Sequence, residues 1–579
     1  MVYSFIEKDT ACSEYVKIIN KIGLKGMLSA YGAYTCIAPN NEAFRKYYNS
    51  LGENFNIDSL TNEQLNYVAK THIVSNKYLF SELTVGIIPK ANMNERFIEI
   101  SFTADSITNA FKIMLNDSSQ VISRDNEVYN GVVHKIDRVI QPSNYQLPEL
   151  IYSNPDISIF AEALKLTKLE DSLRLVKDED YSPQGIYHDA FDSYIIINPK
   201  ERKYGYTAFI EDNEILKENG INSIDDLITK AKEWYPTSSE YDGDYTNPEN
   251  SLNKYMAYHL IKKVIFLNKF FYTSHAINDY TPDEFLETIY TNRLIRASKI
   301  GSRIGLNFSS TNYTKIKEEG SKTTVNGVYH LLSEPLIYSE DVENMMQNIR
   351  IRFDPASLLP ELTNNNMRCS RGFTDFPYGD DYGFDDGYLD YVQMSKDTRL
   401  IYLAGNEDGG WCSFQGDELM ALGAYDLTIR LLPMPPGTYE FRYGYSTNSY
   451  RSITQIYIDG KPIGIPLDLR IYADNPKIGW ILDGLTDDSG YENDKMMRNR
   501  GYMKGPTTFG PTKDKIARDH NASLRRIVGT FTFTKYEAHY LRLKTVEERP
   551  SAQLDIDFFE FVPKSVFSPA DGTPESRDW

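Results

Sequence analysis

Two histidines are the side chains whose type and spacing first suggest chemistry. Leu65, Val68, Ala69 and His72 stand at i, i+3, i+4 and i+7, and Leu252, Tyr255, Met256 and His259 repeat that spacing. Each imidazole therefore sits on the apolar face of a helix. There the simpler reading is a neutral core group. His134 and His330 occupy alternating strand positions and read as structural. A histidine base needs a nucleophile beside it. Neither Cys12, Cys36, Cys369 and Cys412 nor any serine falls at recognisable catalytic or zinc spacing. Four cysteines are too few for a disulfide framework and read as buried thiols.

Two further stretches could bind ligands. Asp375, Asp380, Asp381, Asp385, Asp386 and Asp390 offer oxygen ligands. Of these, Asp380, Asp381, Asp385 and Asp386 are the candidates for a structural calcium, although the stretch lacks EF-hand spacing. A solvated loop is the competing reading. The segment from Gly479 to Pro506 interrupts strand-like sequence with aromatic, cationic and amide side chains. Trp480, Tyr491, Asp494, Lys495, Arg498, Asn499, Tyr502 and Lys504 make it a candidate sugar platform. Aromatic faces stack on sugar C–H surfaces, amides and charges bind hydroxyls, and loops on a rigid scaffold collect such groups. Trp411 and the loop Tyr445, Asn448 and Tyr450 are competing platforms. The simpler alternative is an insertion in which Trp480 and Tyr502 anchor a core. Carboxylates abound, yet no feature selects a catalytic pair from the 81 acidic residues.

These groups must be positioned by several domains, since 579 residues exceed one core. The net charge of −19 argues against a nucleic-acid backbone as partner. No run of 18 apolar residues occurs, so no spanning helix is expected. An internal repeat organises the first 345 residues. Tyr34–Glu42 is matched by Tyr206–Glu214, the two histidine helices follow, and Asn130-Gly131-Val132-Val133-His134 is matched by Asn326-Gly327-Val328-Tyr329-His330. The offsets grow from 172 to 187 to 196, so the second copy carries insertions, one of them at 234–250. Thr61-x-x-Gln64 reads as a capping box. Beyond about residue 345 the texture changes: 21 of the 35 glycines lie in 371–579. Strand-like runs cover 424–432, 438–445, 453–458, 527–534, 539–544 and 553–562, with a tight turn at Asp459-Gly460. The stretch after Pro563 reads as frayed.

The segments Tyr34–Phe44, Thr71-His72-Ile73-Val74 and Asn130–Asp137 resemble the boxes of the fasciclin family, with Thr71 where the family has Tyr. The second copy keeps Tyr258-His259 but lacks Pro and Ala-Phe in its first box and the Asp of its closing strand. The phrases 436–442, 457–464 and 554–563 resemble galactose-binding-like sandwiches that follow fasciclin domains in exported Bacteroidota proteins. The resemblance implies a multidomain α+β and all-β chain, with fasciclin-like domains at 1–145 and 146–345 and a jelly-roll-like β-sandwich at 346–579. It also implies a non-catalytic surface lipoprotein, lipid-anchored upstream in the outer membrane, that captures polysaccharide beside a glycan transporter. The alternative is an adhesion or scaffold protein whose fasciclin surfaces bind protein partners. No cofactor is expected beyond the candidate calcium.

Overall fold

The computed structural model describes residues 1–104, 111–183, 186–188, 195–274, 276–309, 312–368, 381–404, 412–485, 489–511 and 515–576. Helix and sheet are mixed, and the chain divides into two compact units. The first comprises Met1–Gln146, Phe266–Lys269 and Glu318–Val328; the second comprises Leu147–Ile265, Phe270–Lys317 and Tyr329–Trp579.

In the first unit, Tyr34–Pro39 lies antiparallel to Ile73–Val74 and parallel to Gly131–Ile136, with Tyr34 opposite Gly131. Alternation along this strand sends Cys36 and Ala38 to one face and Ile37 to the other. Cys36 and Ala38 share a core with Tyr15, Ile18, Phe44, Leu65 and Val68 of the flanking helices. Ile37 packs with Phe80, Ile100, Ile113 and Ile136. Asn40 caps the helix Asn41–Leu51, accepting from the Ala43 N–H at 2.7 Å, and the expected Thr61–Gln64 box opens Asn62–Thr71. The Asn-Gly pair of the closing strand has a physical cause. The Asn130 side chain accepts from the Val2 N–H and donates to the Leu28 and Ala30 carbonyls. A Cβ on Gly131 would lie 2.0 Å from the Tyr34 carbonyl oxygen.

The second repeat preserves the same polar wiring. Thr35 donates to the Asn76 carbonyl at 2.7 Å and accepts from the Tyr78 N–H at 2.8 Å. Thr207 does the same with Lys263 at 2.6 Å and Ile265 at 2.9 Å. His134 Nε2 meets the Tyr78 carbonyl at 3.0 Å, and His330 Nε2 meets the Ile265 carbonyl at 2.7 Å. The helix histidines also act structurally. His72 Nδ1 lies 2.6 Å from the Val68 carbonyl while Nε2 accepts from the Ile140 N–H at 2.9 Å. His259 bridges the Tyr255 carbonyl at 2.7 Å and Glu211 at 2.9 Å.

The expected boundary at 345 does not separate two compact bodies. Ile186–His188 and Ile195–Ile197, which precede the strand Tyr206–Ile210 in sequence, complete a six-stranded sheet with Asp381–Phe384, Thr398–Ala404, Asp417–Gly423 and Gln553–Ile556. A buried polar seam adds to this. Arg430 forms a bidentate pair with Glu287, both bonds 2.6 Å. Gln415 donates to buried Glu284 at 2.7 Å, with Arg368 at 4.0 Å. Arg202 reaches Asp178, Glu361, Asp390 and the Tyr388 carbonyl.

Two five-stranded sheets complete the region after 350. One runs Ile351–Phe353, Phe558–Pro563, Gly437–Ser446, Ser523–Phe533, Tyr502–Lys504; the other runs Val392–Met394, Asp426–Met434, Glu537–Thr545, Ile453–Ile458, Lys461–Asp468. One core joins all three sheets through Phe441, Phe559 and Phe561, Leu400 and Tyr402, and Ile429, Leu541 and Ile456. The run expected over 553–562 is two strands in two sheets. It breaks at Asp557, whose carboxylate accepts from the Phe414 N–H at 2.6 Å. Among the described residues no helix is long and apolar enough to cross a membrane.

Burial holds His72, His134 and His330 down at about 4. The unfolded chain binds these protons near pH 6.5, so stability is complete above that pH and falls as pH drops toward 4, by up to about 3 kcal/mol per histidine. Imidazole proton shifts followed by NMR should show no titration of these rings between pH 7.5 and 5.

Candidate functional site

An open aromatic cleft lies in the second unit. It has a volume of about 470 Å³ and is lined by Trp234, Tyr235, Pro236, Lys254, Tyr290, Tyr338, Ser339, Glu340, Glu343, Asn344 and Gln347. Four segments build it. Trp234 ends the amphipathic helix Ile224–Trp234, and Tyr235 and Pro236 open the insertion that distinguishes the second repeat from the first. The insertion is tied down locally: Asn250 donates to the Tyr241 carbonyl at 2.7 Å while capping Ser251–Tyr258, and Asn253 donates to the Tyr245 carbonyl at 2.9 Å. That helix supplies Lys254, paired with Glu249 at 2.7 Å. The turn after Glu287 supplies Tyr290. Helix Glu340–Asn348, capped by Ser339, supplies the carboxylates and amides.

The aromatic wall is fixed from behind. The Arg293 guanidinium lies 5.2, 5.0 and 4.5 Å from the rings of Tyr290, Tyr338 and Tyr536. Tyr290 and Tyr338 meet edge to face at 6.3 Å, and the buried Tyr235 hydroxyl accepts from the Tyr338 N–H at 2.9 Å. The Tyr338 hydroxyl donates to Glu343 at 3.0 Å. Burial, with Tyr536 beside it, pushes the Tyr338 phenol up, so it stays a neutral donor. Trp234 is half-buried, and Glu340 and Asn344 are exposed. The result is an open cleft with rigid aromatic faces and a rim of carboxylates, amides and one ammonium. Cleft volume and lining suit a small polar ligand with apolar faces. None of these residues was singled out from sequence. The available signal was Trp234-Tyr235-Pro236 at the start of the insertion.

The expected sugar platform is differently arranged. Trp480 and Tyr502 are half-buried against the main core. Trp480 Nε1 donates to the Arg518 carbonyl at 3.2 Å, and Arg526 stacks on Tyr502 at 4.7 Å. Lys504 is buried and pairs with Asp483 at 2.6 Å; Asp494 pairs with Arg518 at 2.7 Å; Arg498 pairs with Glu440 at 2.8 Å. Internal pairing thus takes up the charges expected to meet hydroxyls. Tyr445 is a correction to the competing platform: it is 1% exposed and stacked on Tyr443, because it faces inward on Gly437–Ser446. Tyr450, Tyr491, Lys495 and Asn499 are exposed and Asn448 is half-buried, with Lys495 paired to Glu492 at 2.8 Å. Trp411 and Asp380 lie outside the described residues. Asp381 is a buried strand residue, Asp385 lies 3.4 Å from the Asn198 amide, and Asp386 accepts from the Met394 N–H at 3.3 Å. Among the described residues no three His, Cys, Asp or Glu side chains come together in a way that could hold a metal. Burial raises the thiols of Cys36 and Cys412 and pushes Cys12 up to about 11, which suits inert core groups; Cys369 lies outside the described residues.

Residues 10–142 match the family model described as Fasciclin domain. A stretch of 191 residues is 29% identical to human periostin, spanning 33% of this chain and 21% of periostin. The chain thus covers about a fifth of that relative's length. Among solved structures, a FAS1 domain pair from the insect cell adhesion molecule Fasciclin I aligns at 15% identity and a TM-score of 0.25, over 57% of this chain and 98% of that one. A Paenibacillus xanthan lyase aligns at 12% identity and a TM-score of 0.21, over 49% and 23%. Overlap this low fixes neither fold nor function.

The packing makes Trp480 and Tyr502 structural supports. Trp480→Ala and Tyr502→Ala should each cost about 1–3 kcal/mol in urea unfolding, below the figure for fully buried aromatics. Unchanged stability in both would free these rings for ligand.

Proposed function

We propose that this chain is a non-catalytic, cell-surface carbohydrate-binding protein that uses the aromatic cleft of its second, fasciclin-like repeat. The observation that carries this reading is the cleft itself: Trp234, Tyr290 and Tyr338 present ring surfaces beside Lys254, Glu340, Asn344 and Gln347. Sugars need that combination, since their rings offer apolar C–H faces and their hydroxyls both donate and accept. Binding without hydrolysis is supported by the carboxylate geometry. Glu340 and Glu343 stand at i and i+3 on one helix, whereas glycoside hydrolysis needs two carboxyls flanking the scissile bond. In this reading the region after 350 is a galactose-binding-like sandwich that scaffolds the repeat. The ligand is a polysaccharide that the protein captures at the cell surface for import.

An adhesion role for the first repeat is a second reading, favoured by the fasciclin match and by one surface feature. Tyr31 and Tyr129 are 80% and 75% exposed and meet edge to face at 5.7 Å, an aromatic pair available to a protein partner.

Affinity electrophoresis across a polysaccharide panel tests the main reading. At least one glycan should retard the protein, and Trp234→Ala or the exposed pair Glu340→Ala/Asn344→Ala should weaken binding about tenfold or more while melting stays cooperative. Folded protein that no glycan retards would overturn it.

A further inference from the structure

The segment after Pro563 is anchored by one side chain. Asp571, Gly572, Thr573, Pro574 and Ser576 are exposed, yet the Glu575 side chain is only 9% exposed. Its carboxylate takes a bidentate pair from Arg442 at 2.8 and 2.6 Å, a bond from Arg350, and the charge of Arg498 at 3.7 Å. Arg442 is fully buried and Arg350 nearly so. Around them lie Arg352 and Arg525, both bound to Glu560, while Glu440 takes Arg442 and Arg498. Among the described residues, five guanidinium groups thus face three carboxylates, Glu575 included. Burial, with the neighbouring guanidiniums, brings Arg525 down to about 9 against the pull of Glu560. Without Glu575 the buried Arg442 would lose its bidentate carboxylate, a loss that another anion seated on the same guanidinium would offset.

We propose that Arg350, Arg442 and Arg498 form a carboxylate-binding site whose resident ligand is the chain's own Glu575, and that a carboxylate-bearing sugar of the uronate class takes that place when segment 564–576 withdraws. The guanidinium fork of Arg442 fits a planar carboxylate and discriminates against neutral hydroxyls. Arg498, 32% exposed in the last turn of the helix Tyr491–Asn499, gives the cluster an edge toward solvent. Tethering makes Glu575 a competitor at high local concentration, which holds the site shut in the intact chain.

Chemical rescue in the full-length chain tests this. Glu575→Ala should melt about 5–10 °C lower than the parent. Acetate should restore most of that loss at an ionic strength where chloride does not. Glucuronate should bind the variant saturably by calorimetry, at least about tenfold more tightly than it binds the parent, and glucose should bind neither. Rescue by chloride as well as by acetate, an unchanged melting temperature, or equal glucuronate binding to variant and parent would overturn the site. Should Glu575→Ala fail to fold, Glu575→Gln keeps the shape and removes the charge. Limited proteolysis should then cut segment 564–576 faster than in the parent, and equal rates would overturn the proposal.

Discussion

The second unit depends on satisfying the carboxylates of one short strand. Glu284 and Glu287 stand at the two ends of Glu284–Glu287, the first buried in an interior that would reject it unpaired and the second half-buried. Gln415 and Arg368 meet the first and Arg430 the second. All three partners come from beyond residue 365. The repeat and the sheets after 350 must therefore fold together, and the strands Ile186–His188 and Ile195–Ile197 close the same joint with backbone hydrogen bonds. This constraint also places helix Glu340–Asn348, which leads from the repeat to the sheets and forms one wall of the cleft. Arg293 completes the joint by stacking at once on Tyr290 and Tyr338 from the repeat and Tyr536 from the sheets.

The two repeats show what duplication left fixed. Thr35 and Thr207 tie the same loop to the same strand, and His134 and His330 hold the same carbonyl. These bonds lie inside the fold, where an unmet polar atom costs about 1–3 kcal/mol. What diverged lies at the edges: the insertion at 234–250 and the strand carrying Glu284. The cleft occupies the divergent part.

The local architecture was legible because it follows rules of short range. The repeat offsets, the Thr61 capping box, the Asp459-Gly460 turn and the strand at Ile453–Ile458 all appear where the residues place them. The single strand expected over 553–562 failed because Asp557 is recruited by the distant Phe414 N–H. The expected fraying after Pro563 failed because Glu575 finds Arg350 and Arg442, more than a hundred residues away. The expected sugar platform at 480–504 is only partly open, since several of its charges turn inward. Aromatic and charged side chains in one loop look alike whether they face a ligand or, as with Lys504 and Asp494, pair inward. The cleft was invisible because its walls come from four separated segments, and only Trp234 at the head of an insertion hinted at it.

In the intact chain, with Glu575 seated on its arginines, the proposed ligand site is the cleft of the second repeat rather than the loops after 440. Hydrogen–deuterium exchange with and without a retarding oligosaccharide tests it most directly. Protection confined to peptides covering 228–236, 288–293 and 336–347 is the expected result. Protection confined to 445–450 and 480–504, with the cleft peptides unchanged, would contradict it.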